Sequence, residues 1–433
     1  MIVIIGGGIS GLTLAWQLQK LCKPYRLLEG SSRFGGHIQT KVENGFRMDT
    51  GPNTLLADDV VWNFVKELGL ESEVLFPNPV ANKRFIFRNG RFHGLSPNPI
   101  TLLTTKLLSW KSKRNIWKER SVLAETIVNE TLAGFTRRRF DSELLDWVIS
   151  PIQSGIYAGD PEELILADAF PKMAQWEQEH GSVVKGMMKS AGGTRAKTLN
   201  FTTGMEALPK QIASQLNQAR SASPVQSVQL QDDKWKVEWI EKGTLEQVLA
   251  DQVVCCIPTY KAAELFNDFS ALAQGLHQVE YTDMAMVHTA VNKQDTAFQF
   301  GGFGGLIPSK AGFASSGSIW ASSVFENRAP SKMHLIAQFM GGALRPEIAT
   351  YSNSTALVIL NQENELLYGI KCPDYQQITR WKKGIPRYDL KRKLAVDVIE
   401  KATPPGLHFL SNWKSGIGLS DCIRNAVALS SQL

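Results

Sequence analysis

The sequence predicts an α/β protein built on a Rossmann-type nucleotide-binding unit, and three observations predict it. Residues 1–36 read as strand, glycine turn, helix, strand and second glycine turn. A chain of 433 residues divides into two or more domains with a large core. Strand-like segments also flank a mainly helical stretch from Ile100 to about Val184.

Taken in order, Met1 to Ile5 is a buried strand that runs directly into Gly6-Gly7-Gly8-Ile9-Ser10-Gly11. Leu12, Leu14, Ala15, Leu18 and Leu21 then continue at helical spacing. In such a unit Gly6 makes the tight turn, Gly8 leaves room for a pyrophosphate, and Gly11 lets the helix pack closely on the strand. The first turn, with Ile9 and Ser10, turns its N–H groups and positive dipole end towards the phosphates. A second strand, Tyr25 to Leu28, ends on Glu29 and Gly30, where a carboxylate accepts hydrogen bonds from ribose hydroxyls and disfavours a 2′-phosphate. Next, Arg33-Phe34-Gly35-Gly36-His37 places a further cation and a close backbone approach beside the same pyrophosphate. That addition favours FAD over NAD.

The balance of 47 Lys and Arg against 41 Asp and Glu gives +6, a mild basic excess that suits anionic partners without marking a nucleic-acid binder. Five scattered cysteines have neither disulfide-scaffold nor zinc-site spacing, so a reducing compartment fits. The cofactor strand begins at Met1, which leaves no signal or transit peptide before it, and no apolar run has transmembrane length. A peripheral membrane contact is compatible with this. The seven histidines show no ligand spacing and no nucleophilic triad can be identified, so hydrolysis and metal catalysis lose ground to flavin oxidation.

After His37, Ile38 to Val42 alternates like a strand and Asn44-Gly45 turns into Phe46 to Asp49, a hairpin signal. Thr50-Gly51-Pro52-Asn53-Thr54 follows; its glycine allows backbone close to a flat ligand, and a bare turn explains the spacing equally well. Asp58 reads as an N-cap for a helix ended by Gly69. Asn82 to Phe87 reads as a strand, with a turn at Asn89-Gly90 and a proline-bounded Leu95-Ser96-Pro97-Asn98-Pro99. The helical stretch opens with Leu102, Leu103, Leu107, Leu108, Trp110, Ile116 and Trp117 among Lys106, Lys111, Lys113, Arg114, Lys118 and Arg120. Such a helix either lies on an anionic membrane or packs on the core with a basic outer face. Strands are expected at Pro224 to Val228, Trp235 to Trp239, Asp251 to Ile257, Ala285 to Asn292 and Met333 to Gly341. The chain closes with a strand from Leu407 to Asn412, then Gly416-Ile417-Gly418-Leu419-Ser420 opening a last helix that aims N–H groups at the flavin end of FAD.

The Gly-rich start, Arg33-Phe34-Gly35-Gly36, Thr50 to Thr54 and Asn82-Lys83-Arg84-Phe85-Ile86, in this order, resemble the protoporphyrinogen oxidase family of flavoproteins. Ser154 to Glu162, Ala169-Phe170-Pro171, Gly302-Phe303-Gly304 with Ile307-Pro308-Ser309, and Ile385 to Tyr388 extend the resemblance over essentially the whole chain. The first motif is shared with amine oxidases and phytoene desaturases; the middle motifs discriminate.

The resemblance implies FAD-dependent, dioxygen-consuming six-electron oxidation of protoporphyrinogen IX, with hydrogen peroxide released. Coproporphyrinogen oxidation, another hydride-abstracting flavoenzyme and a non-catalytic flavin sensor are the alternatives. It implies that Arg84 holds a propionate, although a surface ion pair is the plainer reading of that residue. It places Gly155 and Phe303 at the substrate cavity, where Gly155 could otherwise belong to a capped turn and Phe303 to the core. Val225 is implied to meet the adenine through its backbone, and Asn412, Gly416, Gly418, Leu419 and Ser420 to hold the flavin end. Ser411 and Asn425-Ala426 depart from the family pattern there. The implied fold is a Rossmann-type FAD-binding domain (1–84, 200–262, 405–433) with an inserted mixed-sheet substrate domain (85–99, 185–199, 263–404) and a helical membrane-associating domain (100–184). The implied location is cytoplasmic and peripheral on the inner face of the cell membrane, and a homodimer is compatible with these readings.

Overall fold

The central strand of the nucleotide-binding layer is the first in the chain. β1 (Ile2–Ile5) is buried on both faces, as four consecutive branched apolar residues require, and pairs in parallel with β2 (Tyr25–Leu28) and with Gln252–Cys255. Ala219–Arg220 and Leu407–Phe409 complete a five-stranded parallel sheet at its two edges. The computed structural model describes residues 1–95, 104–190 and 196–433. The expectations placed on Ser96, Pro97, Asn98, Pro99, Ile100, Leu102 and Leu103 lie outside the described residues.

Helix α1 (Ile9–Lys20) crosses from β1 to β2 with Leu12, Leu14, Ala15 and Leu18 fully buried. Gly11 permits that closeness, because a Cβ there would stand 2.0 Å from the Gly6 carbonyl oxygen. The C-terminal helix Leu419–Ser430 packs beside α1 on one face of the sheet. The other face is covered by Ser270–Gln278 and Leu390–Ala402, whose Leu272, Leu276, Ala395 and Ile399 join Val3 and Ile5 in one core. A three-stranded antiparallel sheet borders it; to the expected pair, Val225–Gln231 and Lys234–Glu241, it adds Thr244–Ala250.

A seven-stranded mixed sheet forms the second layer, with Tyr281–Asn292 hydrogen-bonded to Met333–Gly341 and Tyr375–Pro386. Arg84–Arg88 enters this sheet parallel to Gly304–Leu306, which brings Arg84 level with Gly304. The strand expected from Asn82 starts at Arg84 because Pro79–Asn82 coils into a 3-10 turn first. Asn44-Gly45 and Asn89-Gly90 each adopt two positive φ angles, the backbone of the tight hairpin turn that Asn-Gly favours. The last expected strand stops at Phe409, where the Leu410 N–H turns to the Cys255 carbonyl.

Short helices make up most of the insertion between the sheets: Trp110–Lys118, Leu132–Arg139, Ser150–Tyr157, Pro171–His180 and Val183–Ser190. A π-turn, Leu145–Ile149, widens the helical run that leads into Ser150–Tyr157. A buried ion network holds the insertion together. The side chains of Glu119 and Arg139 are wholly buried and paired; Arg139 also reaches Glu177 at 2.9 Å, and Arg138 bridges Glu177 and Glu130, each at 2.8 Å. Removing one partner of such a pair costs about 3–5 kcal/mol, because the other is left charged and dry.

Candidate flavin and substrate cavity

Both layers open onto one cavity of about 1900 Å³. Gly6, Gly8, Ile9 and Ser10 form its wall at the N-terminus of α1, and Glu29, Arg33, Gly35, Gly36 and His37 continue it. Gly51, Pro52, Asn53 and Thr54 border the middle, and Asn412, Gly418 and Leu419 reach it from the C-terminal segment. Arg84, Gly155 and Phe303 line the part beyond, where the mixed sheet meets the helical insertion. Residues drawn from widely spaced segments therefore face one space.

The first part fits a flavin dinucleotide on its own features. No side chain caps α1, so its first amides have no side-chain acceptor, and a Cβ at Gly8 would meet nothing within 4 Å. The Glu29 carboxylate is fixed by accepting from the Gly7 and Ser31 backbone N–H groups, both at 2.7 Å, and its remaining lone pairs suit ribose hydroxyls. Arg33 turns back on its own loop, donating to the carbonyls of Phe34, Ile38 and Gly36, so it stiffens the turn that it lines. Burial, with Arg33 and Lys261 nearby, lowers the pKa of His37 and keeps its ring neutral at pH 7.

Five expected cofactor residues do not reach the wall. Gly11 is held against the Gly6 carbonyl beneath it. Gly30 packs near Pro224, and the Val225 side chain packs against the core under the sheet. Gly416 makes a positive-φ turn against Asp421, and the Ser420 hydroxyl donates to the Leu56 carbonyl. For Gly11, Gly30, Gly416 and Ser420 an adjacent residue does the lining, a distinction that spacing alone cannot draw.

The turn after the last strand is fastened from outside. Arg392 is nearly buried and donates to the Trp413 carbonyl at 2.8 Å, to the Lys414 carbonyl, and to Asp168 of the insertion at 2.6 Å. The Tyr388 hydroxyl donates to the Asn412 carbonyl at 2.6 Å. In addition, Asn425 donates to the Ser415 carbonyl oxygen at 2.5 Å, so this departure from the family pattern helps close the turn.

Sequence reasoning missed Trp381, whose ring lies 4.7 Å from that of His37 and whose Nε1 donates to the Thr50 carbonyl at 2.7 Å. Its one signal was a tryptophan isolated among cations, Arg380 and Lys382-Lys383, in a strand. Lys261, Tyr260 and Tyr281 also line this part, and no spacing pattern marks them.

In the far part, the Arg84 guanidinium stands 4.9 Å from the centre of the Phe303 ring. Arg84 is accessible, but to the cavity, whose walls desolvate it and lower its pKa. Among the described residues no carboxylate pairs with it. The walls around it are apolar, with Ile86, Leu144, Val148, Ile149 and Ile152 among the lining side chains. An unpaired cation on an apolar wall can accept an anion carried by an otherwise greasy molecule.

Residues 9–426 match the sequence profile of the flavin-containing amine oxidoreductases. A protoporphyrinogen oxidase of Macaca fascicularis is 30% identical over 379 residues, which cover 79% of this chain and 77% of that protein. Coproporphyrinogen III oxidase of Bacillus subtilis is 26% identical over 453 residues, covering 98% and 95% of the two chains. A crystal structure from Exiguobacterium sp. 255-15 superimposes with a TM-score of 0.83 at 22% identity, covering 100% of this chain and 98% of that one.

Proposed function

The chain belongs to the flavin-containing amine oxidoreductases and, within them, to the protoporphyrinogen oxidase family, and on that premise we propose that it oxidises protoporphyrinogen IX to protoporphyrin IX in haem biosynthesis. Six electrons leave the substrate, dioxygen accepts them, and hydrogen peroxide is released. The carrying observation is Arg84: an unpaired guanidinium set against Phe303 on the apolar wall of a cavity continuous with the flavin cradle.

Bound FAD supplies the two-electron acceptor and its reoxidation by dioxygen. The protein's own residues bind and orient. Arg84 grips one propionate through the forked donors of its guanidinium. Phe303 offers a flat face to the tetrapyrrole, and Gly155 lines the cavity where a Cβ would press on the Leu306 side chain at 3.1 Å. Apolar walls exclude water from the bridging carbon that loses hydride. His37, neutral and in contact with the Trp381 ring, would border the bound cofactor without adding charge there.

The division of the chain follows from this reading. Segments 1–84, 200–262 and 405–433 all contribute strands to the five-stranded sheet, which supports one discontinuous FAD domain. The helices Ser270–Gln278 and Leu390–Ala402 share its core, so the inserted substrate domain is centred on the seven-stranded sheet. We read the helical insertion as the membrane-facing part. Trp110, Leu123 and Val128 are 82–88% exposed, the helix that carries Trp110 also carries Lys111, Lys113 and Lys118, and among the described residues no helix is long and apolar enough to cross a membrane. The protein is then peripheral, on the inner face of the cell membrane.

Coproporphyrinogen III oxidation is the second reading, favoured by the Bacillus relative. Anaerobic mixing of the purified yellow protein with each porphyrinogen, following flavin bleaching and porphyrin fluorescence, separates the two. Rapid bleaching by protoporphyrinogen is expected. Preference for coproporphyrinogen keeps the chemistry and changes the substrate; bleaching by neither removes both.

A further inference from the structure

Arg84 has a counterpart on the other side of an apolar stretch of wall. Arg120, on the helical insertion, also lines the cavity. Its guanidinium lies 3.7 Å over the Trp117 ring, and its Nε makes a long contact of 3.4 Å with the Trp117 carbonyl. Among the described residues its terminal nitrogens have no acceptor and no carboxylate pairs with it. Ile86, two residues after Arg84 on its strand, packs in one cluster with Ile116, Leu144 and Val148; all four line the cavity, and Ile116 sits on the helix that runs into the turn Glu119–Ser121. The other cations of the wall, Arg33 and Lys261, stand near His37 in the flavin half.

The position of Arg120 is also fixed. Its neighbour Glu119 is wholly buried, pairs with Arg139, and accepts from the Ser182 hydroxyl at 2.5 Å and the Val183 N–H at 2.9 Å. The turn that carries Arg120 is thereby anchored to two helices of the insertion, and stacking on Trp117 orients the guanidinium plane while leaving its hydrogen-bonding edge open. A preorganised, half-buried and unpaired guanidinium is poorly satisfied until an anion meets it.

We propose that Arg120 is a substrate-positioning residue that holds a second carboxylate of the substrate while Arg84 holds the first. This rests on the reading of the substrate as a porphyrinogen. It makes the far part of the cavity a site for a flat, apolar ring carrying at least two acidic side chains, gripped from the sheet and from the helical insertion.

The test uses flavin-loaded wild type, Arg120→Ala and Arg120→Lys in detergent, with equal flavin content as the check on folding. The KM and kcat are measured with protoporphyrinogen and coproporphyrinogen, and binding of the product porphyrin is measured without turnover by fluorescence. For the porphyrinogen that the wild type oxidises, Arg120→Ala is expected to raise KM by about tenfold, the factor that a charge-assisted hydrogen bond supplies, with kcat within about twofold. Porphyrin binding should weaken by the same factor, and Arg120→Lys should recover part of both. Unchanged KM and porphyrin binding overturn the assignment and leave the substrate reading standing. Loss of cosedimentation with phosphatidylglycerol vesicles at unchanged KM also overturns it, and gives the guanidinium to a lipid phosphate. A wild type that neither oxidises nor binds either porphyrin overturns the substrate reading itself, and this assignment with it.

Discussion

Arg84 shows how little a single residue discloses before it is placed. In the sequence it is one cation beside Lys83, and a surface ion pair explains it; in the fold it heads a strand of the mixed sheet, faces the cavity, stacks on Phe303 and has no carboxylate partner among the described residues. Arg84→Ala is expected to raise KM by about tenfold or more, since a hydrogen bond to a charged group carries roughly 1.5–3 kcal/mol. Arg84→Lys should recover only part, because an ammonium offers a point charge where the guanidinium offers a fork. An unchanged KM and turnover number for Arg84→Ala would remove the role. Phe303 reads similarly: its motif marked the position, but only the parallel register of Gly304–Leu306 with Arg84–Arg88 brings the ring under the guanidinium.

At the scale of elements, the helical insertion joins a rigid interior to a greasy, basic exterior. Glu119, Arg139, Glu177, Arg138 and Glu130 fix its helices, so the exposed Trp110, Leu123 and Val128 are displayed by a framework that does not collapse around them. A surface of this kind inserts apolar side chains at a lipid interface while its lysines meet anionic headgroups. The double variant Trp110→Glu with Leu123→Glu is expected to lower cosedimentation with anionic vesicles by about tenfold or more, with turnover in detergent unchanged. Wild-type protein that ignores such vesicles would refute the membrane reading. The alternation of Leu, Trp and Lys was legible in the sequence; which side chains are exposed was not, because a basic amphipathic helix can cover a core equally well.

For the whole molecule, burial of histidines contributes to the pH dependence of stability. The pKa values of His37, His93, His288, His334 and His408 all lie below 6.5, chiefly through burial, and that of His288 is pushed down to about 4. The unfolded chain therefore takes up protons near pH 6.5 that the folded chain refuses, so stability is complete above about 6.5 and declines as pH falls towards 4. His288 alone accounts for a loss on the order of 3 kcal/mol across that window. Urea unfolding between pH 7.5 and 4.5 should show the midpoint falling with pH, and His288→Leu should flatten the slope; a midpoint independent of pH would contradict this account. The nucleotide-binding unit follows from local pattern, since β1, its glycine turn, α1, β2 and Glu29 are neighbours in the chain and each rests on short-range rules of strand, turn and helix. Local pattern also marked the Asn-Gly hairpins, the Asp58 cap, whose side chain accepts from the Val61 N–H, and the start of the last helix. Packing settles what local pattern does not: which of two adjacent residues lines the cavity, that Trp381 meets His37, and that Arg392 ties the flavin-side turn to Asp168. Those contacts join segments more than two hundred residues apart, and long-range proximity is set by how sheets and helices pack, not by any pattern that neighbouring residues carry.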